Sequence, residues 1–463
     1  MVETERIRHL NDTPEQDGRY VLYWMQQSQR TRANPALELA VAAANERSLP
    51  VVVGFGLTDD YPEANARHYA FMLQGLRDVR DRLHERGIPF VVRRGPPDRV
   101  AIGLAGEAAL VVCDRGYLRH QKAWRAHVAR AAPTRVVQVE GDVVVPLDLA
   151  SSKREYAART LRPKIHRHWD RFLVDLDDTE VAAASDAPEL ASDVDVGDWQ
   201  AVLATLKVDR SVVPVSRFHG GEAEAERRLG SFLADRFDGY AEGRSEPAAW
   251  QCSHLSPYLH FGHISPVRVA RAAQQARCGR GEDRAAFLEE LIVRRELAAN
   301  YVNFTPDYDR YDALPNWAQK TLDRHRRDPR RPGYGLDQLE AAATDDPYWN
   351  AAMREMTATG FMHNMMRMYW GKMILKWTEE PEAAFDLALR LNNRYFLDGR
   401  DANSFTGVAW CFGLHDRPWP ERPIFGTVRS MTAGGLERKF RIGDYVEAVG
   451  RLVAAECPGE TPP

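Results

Sequence analysis

The chain has 463 residues, 44% of them hydrophobic and 28% charged, which is material for two globular domains and excludes a disordered or fibrous class. No apolar run approaches the ~20 residues of a membrane span, and the charged N-terminus lacks the shape of a signal peptide. The five cysteines are scattered without a C-x-x-C, which argues against a disulfide framework and a zinc site; a cytoplasmic protein without a metal is expected. With a formal net charge of −4, any nucleic-acid ligand would have to meet a local basic face.

In chain order, residues 1–18 are polar and expected to be frayed. Tyr20–Trp24 reads as a short apolar strand, Asn34-Pro35 as the cap of a helix reaching about Arg47, and Pro50–Leu57 as a β-branched strand. Asn65–Arg86 reads as an amphipathic helix, Ile88–Val92 and Leu110–Cys113 as strands, Tyr117–Ala131 as a helix and Arg135–Val139 as a fifth strand. Continuous apolar strands separated by helices predict a doubly wound parallel α/β domain over residues 19–147. Gly54-Phe55-Gly56 follows a strand, but no third glycine completes a dinucleotide fingerprint.

Residues 148–198 read as a linker. It starts with a basic amphipathic helix, Lys153–Phe172, and then turns acidic and alanine-rich, as a solvated loop would. From Trp199 to the end (199–463) the pattern is helical, apart from a strand pair expected at Ile424–Met431 and Lys439–Ile442 around a Gly-Gly turn.

The most informative stretch is Asp346–Trp410. Asp346-Pro347 is a helix-start signal, and a second helix runs from about Phe361 to Trp377, stopped by Glu379-Glu380-Pro381. Arg367, Trp370, Ile374 and Trp377 recur at spacings of three and four, on one face of that helix. An arginine on an apolar face is either snorkelling or paired, and Asp398, in the charged turn Asp398-Gly399-Arg400-Asp401, is the candidate partner. Upstream, Cys252-Ser253-His254-Leu255-Ser256-Pro257 combines small hydroxyls with a helix start, suited to phosphate binding or to ordinary capping.

The segments NMMRMYW, NNRYFLDGRDANSFTGVAWCFG and CSHLSPYLHFGHIS resemble the class II cyclobutane pyrimidine dimer photolyases of the photolyase/cryptochrome family. The resemblance extends through RYVLYWMQQSQR, RHYAFMLQGL and SSKREYAARTLRPKIHRHW, and so over essentially the whole chain. It implies an α/β antenna-type domain followed by an all-α FAD-binding domain, and light-driven repair of dimers in double-stranded DNA by electron transfer from excited reduced FAD to a flipped-out lesion. A monomer is expected.

Tyr240, Arg244, Cys252, Ser253, Leu255, Ser256, Asn364, Arg367, Asp398, Arg400 and Asp401 are then the FAD-binding residues, with Cys252 standing where the family has a hydroxyl. Asn392, next to the easily confused Asn393, would face the reactive flavin nitrogen. Glu290, Met368 and Trp410 would receive the lesion, with Glu290–Arg294 as an alternative helical ion pair. Other photolyases carry a tryptophan near Val293-Arg294, and this chain has none there. The relay that reduces the flavin would pair Trp370 with Trp349, leaving Trp377 as a side branch or plain core.

Arg429, Arg438, Lys439 and Arg441, around the expected last hairpin, are the DNA-binding candidates. The resemblance also implies room for an antenna chromophore, of deazaflavin or folate type, in a cleft at the sheet's edge. A cryptochrome-type photoreceptor is the alternative function, but such proteins usually add a long C-terminal extension, and this chain ends about 50 residues after Trp410.

Overall fold

The computed structural model describes residues 2–182 and 189–456. Its N-terminal half is built on six strands: β1 (Ile7–His9), β2 (Tyr20–Trp24), β3 (Val51–Leu57), β4 (Phe90–Arg94), β5 (Ala108–Asp114) and β6 (Arg135–Val139). They are ordered β1-β6-β5-β2-β3-β4, parallel except for β1 against β6. β2, β3 and β5 are buried at every residue, which is why they read as unbroken apolar runs.

Helices α1 (Pro35–Glu46) and α2 (Ala66–Glu85) cover the face carrying Val21, Tyr23, Val51 and Val53. On the other face, α3 (Pro97–Ala105) and α4 (Arg119–Ala131) cover Tyr20, Leu22, Trp24 and Val52. The Asn34 side chain accepts from the amides of Ala36 and Leu37, as its place before Pro35 predicts. Gly56 serves packing: a Cβ there would lie 2.6 Å from Pro97 Cα at the start of α3, a helix the sequence reading had missed.

The N-terminus is not frayed. β1 pairs with β6, and Arg6 donates to the carbonyls of Glu140 (3.0 Å), Val143 (3.0 Å) and Val144 (2.8 Å). Nor is Lys153–Phe172 one helix. Only α5 (Ala158–His166) and a short turn at Trp169–Phe172 form, because Glu155 N is drawn to Asn300 Oδ1 (2.7 Å) and the preceding chain is held non-helical.

Part of the acidic linker is pinned to the sheet rather than solvated. Val92 N donates to Ser192 Oγ and Asp193 N to Val92 O, and Val194 and Val196 are buried. Residues 183–188 of that linker lie outside the described residues.

From Trp199 onward the described chain is helical. The expected strand pair does not form: Ala433–Lys439 and Ile442–Glu456 are helices, and only an isolated bridge joins Arg422 and Gly426. Ile442, Tyr445 and Val449 are buried at helical spacing, and Gly434-Gly435 lies inside a helix capped by Thr432. No helix among the described residues is long and apolar enough to cross a membrane.

The two halves are joined by buried polar contacts. Arg67 on α2 donates to the carbonyls of Tyr395 (2.7 Å) and Thr357 (2.6 Å). Glu296, at the start of α7 (Arg295–Phe304), accepts from the amides of Val144 (2.6 Å) and Val145 (3.3 Å) after β6.

Burial pushes the Glu296 carboxyl from near 4.5 up to about 8. A folded-state value above the unfolded one means that the protonated acid is the form the fold prefers. Its contribution is full below about pH 4.5 and is lost as pH rises through about 8. Glu296→Gln keeps the acceptor for both amides and removes the ionisation. Thermal unfolding should show the wild type losing Tm between about pH 4.5 and 8 and the variant losing less; parallel losses would show that another group governs.

Candidate active site

A cleft of about 660 Å³ opens among the C-terminal helices. Its walls come from α6 (Ser256–His260), a π-helical segment Glu289–Arg294 that runs into α7, α9 (Asn364–Trp377), α10 (Pro381–Tyr395) and α11 (Ala402–Cys411); α8 (Pro347–Thr359) packs behind α9. The Asp346 side chain caps α8 by accepting from Tyr348 N and Trp349 N, so the cap and Pro347 act as the sequence predicts.

The floor is the Arg367–Asp398 pair. Arg367 Nη2 donates to both carboxylate oxygens (2.9 and 3.0 Å), Nε donates to Met362 O (3.2 Å), and the guanidinium lies 3.8 Å from the Phe396 ring centre. Ser404 Oγ donates to Asp398 O (2.8 Å), which ties this turn to α11. The two asparagines separate. Asn392 lines the cleft with one amide hydrogen given to Asn393 Oδ1 (3.0 Å), leaving its carbonyl oxygen able to accept; Asn393 reaches Glu63 of the α/β half (2.7 Å).

The π-helical segment inserts an extra residue per turn, a device common where side chains are re-aimed at a site. It sends successive acids in different directions. Glu289 meets Arg162 (2.7 Å) and Arg294 (3.2 Å), while Glu290 enters the cleft and accepts from Arg244 Nη1 (2.9 Å). The Glu290–Arg294 pair open to the sequence is therefore not formed.

At the far end stand Met368 and Trp410, with Lys372 Nζ 5.1 Å and the Arg429 guanidinium 5.8 Å from the Trp410 ring centre. Lys372 is fully buried and donates to Cys411 O; burial lowers it to about 8. Sequence reading missed it because a lysine on a helix normally faces solvent. It also missed Glu355, a buried carboxyl pushed up to about 7 that accepts from Tyr445 OH (2.6 Å).

Tyr240, Cys252, Ser253, Leu255, Ser256 and Asn364 line the same cleft, as expected. Arg400 does not. Its backbone turns left-handed (φ 64°) and its buried guanidinium enters a second cavity, 5.8 Å from the Tyr61 ring centre, with Nε and Nη2 lacking a partner among the described residues. Asp401 stands between the cavities, accepting from Asn403 N (2.7 Å) and facing His260 Nδ1 (3.2 Å). The second cavity lies at the carboxyl ends of β2, β3 and β5, lined by Gln26, Gln27, Thr58, Tyr69 and Trp124. That is the point where strand order reverses, the usual ligand crevice of such sheets, and not the sheet's edge.

The tryptophans pack in series. Trp370 borders the cleft, and Trp349, fully buried on α8, donates Nε1–H to Trp370 O (3.1 Å). Trp349 in turn packs edge-on to Trp377 (5.4 Å between ring centres), and Trp377 to Tyr334 (4.9 Å). Trp377 is itself a buried member of the core, with Trp349 on one side and Tyr334 on the other.

Arg429, Arg438 and Lys439 line a groove of about 810 Å³ that shares Met365, Met368 and Trp410 with the cleft; Arg429 also stacks on Trp419 (4.1 Å). Arg441 is not among the groove's lining residues, and its guanidinium sits 3.7 Å from Asp444.

A doubly wound domain docked on a helical domain that holds one deep cleft is a photolyase-type architecture. It recurs in a bacterial class III photolyase from Agrobacterium tumefaciens (TM-score 0.71, 22% identity, 96% of this chain and 91% of that one). It recurs again in an archaeal photolyase from Sulfolobus tokodaii solved with two FAD molecules (TM-score 0.68, 15% identity, 92% and 89%). The DNA photolyase family model matches residues 21–186, and a deoxyribodipyrimidine photo-lyase of Methanothermobacter thermautotrophicus is 48% identical over 456 residues, 98% of this chain and 100% of that protein. The chain belongs to the DNA photolyase family.

The cleft fits a flavin dinucleotide. Its lining combines the Ser253/Ser256 hydroxyls, the Arg367, Asn392 and Asp398 polar groups, and aromatic and aliphatic surface. Asp398→Ala would strand the Arg367 charge, at a cost of about 3 kcal/mol. Denaturant unfolding should register that loss together with a fall in bound flavin per chain. A variant with wild-type stability and flavin content would show that the pair carries neither.

Proposed function

We propose that this chain is a class II photolyase that repairs cyclobutane pyrimidine dimers in double-stranded DNA under light, acting as a cytoplasmic monomer. The carrying observation is the juxtaposition in one cleft of the Arg367–Asp398 floor, the Glu290–Arg244 pair and the Trp410/Met368 wall. The 48% identity to a deoxyribodipyrimidine photo-lyase over nearly the full chain supports the same reading. FAD, when bound, supplies the light-excited electron that splits the cyclobutane ring.

Tyr240, Arg244, Ser253 and Ser256 hold the dinucleotide end, with Cys252 and Leu255 packing beside them and Asn364 and Arg367 holding the ring end. Asn392 offers its carbonyl oxygen to a protonated ring nitrogen. A dimer leaves the duplex stack at a cost of a few kcal/mol, lowest at damaged sites. Trp410 and Met368 receive its faces and exclude water, and Glu290, steadied by Arg244, accepts from the pyrimidine edges. Arg429, Arg438 and Lys439 meet phosphates in the adjoining groove.

Trp377, Trp349 and Trp370, in that order, form the route by which an electron enters the cleft from the Tyr334 side. The cavity at the strand switch point takes the antenna chromophore, of deazaflavin or folate type. Arg400 there presents buried N–H groups to an anionic or carbonyl-bearing ligand.

Incubation with a dimer-containing oligonucleotide should remove dimers under near-UV or blue light and not in the dark. Glu290→Ala should keep the flavin and lower the repair yield per absorbed photon, because the lesion loses a polar partner in a dry site. Dark-insensitive or absent repair would reject the function, and an unchanged yield in the variant would reject the role of Glu290.

The relay is tested separately by photoreduction of the oxidised protein. Trp370→Phe and Trp349→Phe should abolish it, and Trp377→Phe should slow it markedly, while repair by chemically reduced protein persists in all three. If Trp377→Phe photoreduces like the wild type, the line of rings ends at Trp349.

A further inference from the structure

The segment 153–162 of the linker carries four cations, and two of them have structural work. Arg154 donates to Ala313 O and lies 5.0 Å from the Tyr301 ring centre; Arg162 pairs with Glu289 (2.7 Å). Lys153 and Arg159 are exposed and, among the described residues, within ion-pair distance of no carboxylate. Stability gives no account of these two charges.

Their position does. The segment runs along the rim of the cleft. Tyr156 O meets His415 Nδ1 (2.7 Å), and Tyr156 OH donates to Asp416 O (3.3 Å), while His415 itself lines the cleft. The Asp416 carboxylate reaches Arg429 (4.0 Å), the residue shared by cleft and groove. One turn along α5 from Arg159, Arg162 reaches Glu289 beside Arg294, another rim residue. The His415-Asp416 corner is thus a hinge point at which the Arg429–Arg438–Lys439 surface continues into the linker. Tyr156, 52% exposed, stands at that corner as an aromatic ring open to solvent.

We propose that Lys153 and Arg159, with Tyr156 between them, extend the DNA-binding surface and hold the phosphate backbone of the substrate duplex beyond the lesion. A cationic surface continuous with a lesion cleft is complementary to one ligand above others, a polyanion that crosses the cleft mouth. A duplex with a dinucleotide turned out of it loses stacking at the lesion, and contacts on both sides of the gap keep it in register. This rests on the DNA-repair reading above.

The test is binding of dimer-containing duplex in the dark over a salt series by the flavin-loaded Lys153→Ala/Arg159→Ala variant. Each phosphate contact contributes about 0.9 to the slope of log affinity against log salt, so the variant should lose about 2 from that slope. Its flavin absorbance and its repair at saturating DNA should match the wild type. Lys207→Ala, an exposed lysine on the α/β side, should leave the slope alone. An unchanged slope in the linker variant, with the slope of Arg438→Ala/Lys439→Ala reduced, would overturn this proposal and leave the repair reading standing. Unchanged slopes in both variants would overturn it together with the groove's role in DNA binding.

Discussion

The ion pair between Arg367 and Asp398 is the constraint on which the rest of the site depends. A guanidinium brought into an apolar cleft is costly unless a carboxylate meets it with good geometry, and here both carboxylate oxygens do. Meeting that demand fixes α9 against the turn before α11. The same turn is then held by Ser404, so the helix that carries Trp410 is positioned by the pair that forms the cleft floor. Phe396 closes over the guanidinium and also lies 6.4 Å from Trp370, so one ring helps to shape both the floor and the entry of the tryptophan line.

The short run Asp398-Gly399-Arg400-Asp401 distributes its charges between two cavities. Asp398 faces the cleft, Arg400 faces the switch-point cavity, and Asp401 stands in the wall between them with His260. This division depends on backbone. Asn393 accepts from Arg400 N (2.9 Å), and the left-handed turn at Arg400 reverses the direction of its side chain. The cleft and the switch-point cavity are therefore not independent modules, since four consecutive residues build part of each.

Charge on this protein is organised locally. A net charge of −4 coexists with a groove lined by Arg429, Arg438 and Lys439, while arginines elsewhere are consumed in pairs such as Arg244–Glu290 and Arg162–Glu289. Which cations remain for a ligand follows from the three-dimensional pairing and not from the totals.

The sequence by itself determined the elements whose signals are local. Caps at Asn34 and Asp346, the buried strands β2, β3 and β5, and the face shared by Arg367 and Trp370 were all legible, because periodicity and capping act within a turn or two. Long motifs carried the cleft residues for the same reason: they sit on few elements and close in sequence. The tertiary structure alone decided what depends on distant partners. The 1–18 segment reads as polar, yet Arg6 finds three carbonyls more than 130 residues away; Gly434-Gly435 reads as a turn, yet buried Leu436 and Tyr445 hold helices there. Arg400 turned away from the cleft it was expected to line, and Trp377 took Trp349 and Tyr334 as its neighbours, since a side chain's direction is set by one backbone angle or by the neighbouring helix. Periodicity cannot encode either, because it registers which face a residue occupies and not what stands opposite.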